Sequence, residues 1–230
     1  MKIVDIIRYQ ADSHNDGGIA NGLRKSRMKI FENFFGNLYN YRIEKGETIH
    51  ILDVGGSYNF WKAMDFCYIS NVEITLLNII EESRPPKNSG FTSVIADATN
   101  MIDIKDKEYD FVFSNSCIEH VGDMQCMRKM AEEIKRVGCH YFLQTPNRYF
   151  PIEPHFLFPL FQFFPIKFRA LFIRCFQLGF WPKGRNWEES LKIANEIKLL
   201  SYKDLRSLFP EAKIDKEIFL GFTKSFMVYK

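Results

Sequence analysis

Short apolar runs alternate with helix-patterned segments from residue 49 to residue 144, and this alternation limits the fold more than any other feature of the chain. The run Ile49 to Val54 stops at Gly55-Gly56; so short a run, ended by glycines, reads as a buried strand rather than a helix. A helical segment over 58–68 follows, then strand 72–79, a Pro85-Pro86 loop, strand 92–96 and strand 109–114. Segment 123–137 has Asp123 placed as an N-cap, Met127, Met130, Ala131 and Ile134 on one face, and Gly138 past its end, which predicts a helix. Strand 140–144 completes the series. Buried strands alternating with helices require right-handed crossovers, so the expected class is α/β, a doubly wound and mostly parallel sheet. The Pro-broken link 80–91 is where a connecting helix is expected to be missing.

On the N-terminal side, Met28, Phe31, Phe34, Phe35, Leu38 and Tyr39 recur at helical spacing and predict a helix over 24–40, preceded by an arm at 1–23. Beyond the fifth strand, residues 146–187 hold six of the nine prolines and break the rhythm, so they read as an insertion. Pro165 is placed to start a helix there and Gly179 to end it, with Phe168, Leu171, Phe172, Cys175 and Phe176 as the stripe that packs on the sheet edge. A helix over 188–199 comes next, then a Ser201/Asp204 capping box opening a short helix that Pro210 ends. AKIDKEIFL and FTKSFMVYK alternate on either side of Gly221, and so short a link makes two strands antiparallel. One domain over 24–230, a seven-stranded sheet closed by this hairpin, is the expected organisation.

Composition excludes several classes. A chain of 230 residues with 46% hydrophobic and 26% charged residues is not wholly disordered. Lys plus Arg number 31 against 28 acids, and a net charge of +3 is too small to indicate nucleic-acid binding. The five cysteines (67, 117, 126, 139, 175) form no Cys-x-x-Cys pair and have no histidine at ligand spacing, so neither a disulfide framework nor a zinc site is expected. Reduced thiols point to the cytoplasm. No eighteen-residue apolar run and no signal-peptide pattern is present, so neither a spanning helix nor a leader is expected.

In an open α/β sheet, ligands bind outside the carboxyl ends of the strands. Asp53, Gly55 and Gly56 fall at the first such end, Asn78 at the second, Asp97 after the third, and Ser114 and Asn115 at the fourth. A dinucleotide fingerprint needs G-x-G-x-x-G, and here Ser57 and Phe60 stand where its second and third glycines would be. Four polar groups along one edge outline a nucleoside-sized site; a tight turn without a ligand is the bland alternative.

ILDVGG at 51–56, Asn78, ADA at 96–98 and above all YDFVFSNSCIEHVGD at 109–123 resemble the class I S-adenosylmethionine-dependent methyltransferases. LQTPNRYFPIEPHFLFP and FLGFTKS resemble a bacterial subgroup associated with cell-surface polysaccharide or lipid modification. The resemblance covers roughly 24–230 and implies S-adenosylmethionine as cofactor. It implies Asp53 and the Gly55-Gly56 turn under the methionine part, Asn78 at the ribose, Asp97 and the Ala98 backbone at the adenine, and Ser114 with Asn115 near the amine. Two positions depart from the pattern. Ser57 replaces a glycine, and Asn78 replaces an acid whose charge would strengthen ribose hydrogen bonds.

Methyl transfer to a hydroxyl needs positioning and a base. Glu119 and His120 after the fourth strand, and Glu153 and His155 after the fifth, are the candidates; histidine titrates nearest neutrality. A structural role for each residue is the alternative, and Cys117 reads as packing. No metal is expected. Between Pro154 and Trp187 there is no acid, yet Lys167, Arg169, Arg174, Lys183 and Arg185 are interleaved with nine phenylalanines. A helical lid covering the cofactor site is the bland reading of this segment; its composition also suits the acceptor side of the site and peripheral contact with an anionic membrane. The expected function is therefore methyl transfer to an oxygen of a sugar or lipid-linked cell-envelope intermediate. A catalytically silent binding protein and a nicotinamide oxidoreductase on the same sheet are the alternatives.

Overall fold

A computed structural model describes residues 19–64, 66, 69–80 and 85–230. Its strands are β1 (Ile49–Val54), β2 (Val72–Asn78), β3 (Phe91–Ile95), β4 (Tyr109–Asn115), β5 (Gly138–Pro146), β8 (Lys213–Phe219) and β9 (Phe222–Tyr229), with a two-stranded ribbon of β6 (Ile152–Glu153) and β7 (Phe158–Pro159) between them in sequence. The seven main strands lie in the order β3-β2-β1-β4-β5-β9-β8. β1 to β5 run parallel, and β9 inserts antiparallel between β5 and β8, as the hairpin pattern requires. The order reverses at β1 and β4, which opens a crevice at their carboxyl ends.

Period-two alternation sends the two faces of each strand into separate cores. On one face Ile49, Ile51, Ile74, Phe111, Phe113 and Phe142 pack against α1 (Ile19–Glu44) and α2 (Tyr58–Ala63). Phe31 of α1 is fully buried there, its ring centroid 5.0 Å from Phe113, 5.3 Å from Phe111 and 5.5 Å from Phe142. On the other face Leu52, Val54, Val112 and Leu143 pack against α3 (Met124–Val137) and α6 (Tyr202–Leu208). Asp123 caps α3 through the N–H groups of Gln125 and Cys126, and Ser201 and Asp204 form the capping box of α6.

Several boundaries differ from the sequence reading. α1 begins at Ile19, so residues 19–23 are helical rather than part of an arm; the rest of the 1–23 segment lies outside the described residues, as does Cys67. α2 ends at Ala63, not at residue 68. Gly138 is not a left-handed helix stop: its φ is −103°, it starts β5 at once, and a Cβ there would meet Val112 Cγ2 at 2.5 Å. Close packing selects this glycine. Between β2 and β3 the described residues contain no helix.

The insertion folds back as the β6-β7 ribbon and α4 (Ile166–Cys175), which packs on α5 (Trp187–Glu196). Phe156, Phe161, Ala170, Ile173, Ile193 and Ala194 form its own core. The expected stripe is wrong. Ala170 and Ile173 are the buried residues of α4, whereas Phe168, Leu171 and Phe176 are 58%, 49% and 58% exposed and only Phe172 is drawn in. The helix also ends at Cys175 rather than at Gly179. Periodicity located the helix, but two apolar faces competed, and the small face fits closer to α5.

Candidate active site

Backbone geometry at the end of β1 builds the site. Gly55 has φ +78°, and a Cβ on it would lie 2.5 Å from Cys117 Sγ; one on Gly56 would lie 1.6 Å from Asp53 Oδ2. Only glycine fits either position. Gly55 N–H donates to Leu77 O at 2.8 Å, and Ser57 caps α2 through Phe60 N–H. Asp53 is buried under this turn, where it accepts from Trp61 Nε1–H at 2.7 Å. Ser114 is also buried and its hydroxyl donates to Val54 O at 3.0 Å; neither it nor Asn115 lines the cleft described next.

A cleft of about 300 Å³ opens beside the turn, lined by Gly55, Asn78, Asp97, Ala98 and His120 among the residues expected from sequence. Leu77, Ile79, Ala96, Thr99, Cys117, Val121 and Cys126 complete its wall, and sequence reasoning had not placed them there. Ile79, 73% exposed, lies just past the end of β2, whereas the sequence reading had kept it inside the strand. Asp97 Oδ1 accepts from Thr99 N–H and Oγ1–H at 2.8 Å each, fixing the turn after β3. Asn78 has a structural role beside the expected one: its Nδ2–H donates to Gly56 O at 2.8 Å and braces the glycine turn. A carboxylate has no proton to give there, which accounts for the amide at this position.

The second group comes from two distant segments. Glu119 and His120 lie in the single 3₁₀ turn after β4, and Glu153 and His155 lie on the β6-β7 ribbon. The His120 and His155 rings meet edge to face at 5.0 Å, and Glu119, His120 and His155 each bring one ligand-capable atom within 4.8 Å of the others. Glu153 is buried; its Oε1 pairs with His155 Nδ1 at 2.8 Å, and its Oε2 accepts from the N–H groups of His155 and Phe156. Glu119 is fully buried, with Oε2 accepting from Thr145 Oγ1–H at 2.9 Å and Oε1 without a hydrogen-bond partner among the described residues.

These surroundings drive the two imidazoles apart. His120, reachable from the cleft but crowded by protein behind, is pushed down to about 4 by desolvation and by the neighbouring His155. His155 is raised: burial works against its charge, but the bond and field of Glu153, with the field of Glu119, outweigh it. Burial raises the Glu119 carboxyl and pushes the Cys117 thiol up to about 12, so Cys117 stays protonated and packs against the glycine turn. Opposite shifts of two neighbouring rings are what proton transfer between an acid and a base requires.

Residues 52–140 match a family model described as methyltransferase domain. A Mycobacterium tuberculosis (strain H37Rv) protein described as uncharacterized is 40% identical over 59 residues, 25% of this chain and 20% of that protein, so the chain spans only about a fifth of the length of this relative. Among solved structures, one from Rhodobacter sphaeroides described as a zinc-dependent alcohol dehydrogenase aligns with TM-score 0.51 at 12% identity, over 80% of this chain and 84% of that one. A cyclopropane-fatty-acyl-phospholipid synthase-like protein from Lactobacillus casei aligns with TM-score 0.50 at 9% identity over the same shares. At such identities these two establish the fold alone. The strand order defines a Rossmann-like α/β domain, and residues 52–140 within it carry the methyltransferase-domain match.

Proposed function

We propose that the chain methylates an oxygen of a sugar or lipid-linked cell-envelope intermediate, with the 146–187 insertion forming the acceptor side. One observation carries this reading: His120 lines the cofactor cleft and touches His155 of the insertion, so the two sides of the reaction meet at one ring. The glycine turn supports the cofactor assignment, because a ligand can approach its backbone where side chains are excluded. In this reading Gly55 and Gly56 face the methionine part, with Asp53 and Ser57 fixing the turn. Asn78 Oδ1 meets the ribose, Asp97 and the Ala98 backbone meet the adenine, and the Ser114 and Asn115 backbone meets the amine.

When bound, S-adenosylmethionine would supply an electrophilic methyl group and leave as S-adenosylhomocysteine. His120, neutral at neutral pH, takes the acceptor's hydroxyl proton. Glu153 holds His155 in one orientation, and His155 sets the ring of His120 edge-on. Glu119 brings an oxygen close to both rings, placed to accept a hydrogen bond from the imidazolium that forms on His120. Exposed Phe163, Phe168, Leu171, Phe176 and Phe180, with Lys167 and Lys183 among them, support peripheral contact with anionic lipid. Among the described residues no helix is long and apolar enough to cross a membrane.

Calorimetric titration with S-adenosylmethionine, S-adenosylhomocysteine and a nicotinamide cofactor, followed by a labelled-methyl assay on envelope sugars and lipids, tests the reading. Binding of the first two only, with label appearing as an ether or ester, is the expected result. Binding of the nicotinamide cofactor alone, or label only on nitrogen or carbon, overturns it.

A further inference from the structure

A second cavity, of about 310 Å³, lies on the insertion side of the same active-site turn. Met124 and Met127 of the first turns of α3 line it, while Cys126 between them lines the cofactor cleft, so the two spaces share one stretch of helix. Its floor is tied to the acid–base cluster: Lys198 N–H donates to Glu119 O at 2.9 Å, and Arg169 lies within the field of Glu153.

The cavity is cationic. Arg148, Arg169 and Lys198 converge on it against a single acid, Asp204. That acid is already used, since its Oδ2 accepts from Ser201 N–H at 2.8 Å and from Ser201 Oγ–H at 2.6 Å as the cap of α6. Arg169 Nε and Gln162 Oε1 are both buried with no hydrogen-bond partner among the described residues. Gln162 is held so that its oxygen stays available, because its Nε2 is spent on Arg148 O at 2.9 Å and Phe150 O at 2.8 Å. A buried guanidinium N–H without an acceptor costs stability, and a ligand oxygen in the cavity would complete it. Apolar Met124, Met127, Ile197 and Leu199 leave a wall suited to the face of a ring.

We infer that this cavity binds the phosphoryl group and first sugar ring of a glycosyl phosphate acceptor, with Arg169, Arg148 and Lys198 on the phosphoryl oxygens and Gln162 Oε1 accepting from a sugar hydroxyl. The inference rests on the methyltransferase reading above and names the substrate class of that site. A phosphoryl group matches three convergent cations, and a guanidinium pairs with its oxygens in a charge-assisted geometry. A volume of about 300 Å³ is at the small end of ligand sites and suits one sugar phosphate better than an oligosaccharide. Glycosyl phosphates reach a cell either bound to a nucleoside phosphate or to a polyprenyl phosphate; both present the same recognition chemistry.

The experiment uses the full chain saturated with S-adenosylhomocysteine and titrates four probes: inorganic phosphate, a hexose 1-phosphate, a nucleoside diphosphate hexose and a short-chain polyprenyl diphosphate hexose in micelles, with the free hexose as control. The expected result is binding of the phosphorylated probes alone, weakened about tenfold or more by Arg169→Met and by the double change Arg148→Gln with Lys198→Met. The S-adenosylhomocysteine affinity of these variants stays unchanged, which reports an intact fold. Preference between the nucleoside and polyprenyl arms assigns the source. Equal affinity for free and phosphorylated hexose, no binding of any probe, or unchanged phosphate affinity in both variants overturns the inference while leaving cofactor binding, and hence the methyltransferase reading, standing. Failure of S-adenosylhomocysteine itself to bind the wild-type chain overturns both.

Discussion

The indole Nε1–H of Trp61 donates to Oδ2 of Asp53 at 2.7 Å, and the same oxygen occupies the space that a side chain on Gly56 would need. Strand β1, helix α2 and the glycine turn are therefore locked by one carboxylate, and the proposed cofactor contacts of that turn would depend on it indirectly. Trp61→Phe keeps the packing and removes the bond. It is expected to lower stability by about 1–3 kcal/mol in urea denaturation and to weaken S-adenosylmethionine binding. Trp187→Phe, at an exposed position, is expected to change neither. Wild-type stability in the Trp61 variant contradicts the role given to Asp53, and a folded Asp53→Ala chain with full cofactor affinity contradicts it more strongly.

Asn78→Asp separates two readings of the second strand end. If the residue only met ribose hydroxyls, a carboxylate would strengthen binding. Because Nδ2–H also braces Gly56 O, the exchange sets an anion against a carbonyl, and calorimetry is expected to show weaker S-adenosylmethionine binding. Tighter binding by Asn78→Asp would refute the brace.

The proton acceptor is tested by pH. A base works in its neutral form, and lowering its pKa extends that form toward acid. With His120 at about 4, kcat/KM is expected to hold level through neutrality and to fall only below about pH 5. In the opposite direction, raised His155 loses its proton as pH rises, so the charge beside His120 disappears on the alkaline side. His120→Ala is expected to lower turnover by about a hundredfold or more with cofactor affinity kept. An unchanged acid limb and unchanged turnover in that variant move the base elsewhere.

Chelation distinguishes a proton-transfer cluster from a metal centre, since Glu119, His120 and His155 stand close enough together to hold an ion. Dialysis against EDTA is expected to leave turnover intact. Loss of activity that one divalent cation restores assigns the three residues as ligands instead.

Membrane contact is tested by co-sedimentation with anionic vesicles at low and high salt. Lys167 and Lys183 are exposed among the aromatic residues, whereas Arg169 is turned into the cationic cavity, so the informative variant changes the two lysines to Glu and Phe168 and Phe176 to Ser. Salt-sensitive pelleting of the wild type that this variant loses is the expected result. Equal pelleting of both chains removes the membrane reading.

What could be read in the chain before folding was whatever short-range chemistry controls. Period-two runs and glycine stops located all seven main strands, Asp123 and Ser201 announced their helices through local caps, and Gly221 fixed the closing hairpin. The carboxyl edge was legible for the same reason: each strand end is a local event, and Gly55, Asn78, Asp97 and His120 do share one cleft. Tertiary structure decided the rest. Whether Phe168 or Ala170 faces inward depended on the shape of α5, which no periodicity on α4 records. The double duty of Asn78 depended on a carbonyl 22 residues away. The meeting of His120 with His155 depended on β5 carrying the chain back so that the β6-β7 ribbon lies beside the turn after β4, a non-local contact between groups 35 positions apart in sequence. Desolvation then lowers His120, while the neighbouring Glu153 and Glu119 raise His155 against the same desolvation, and both influences exist only once the chain has closed around them.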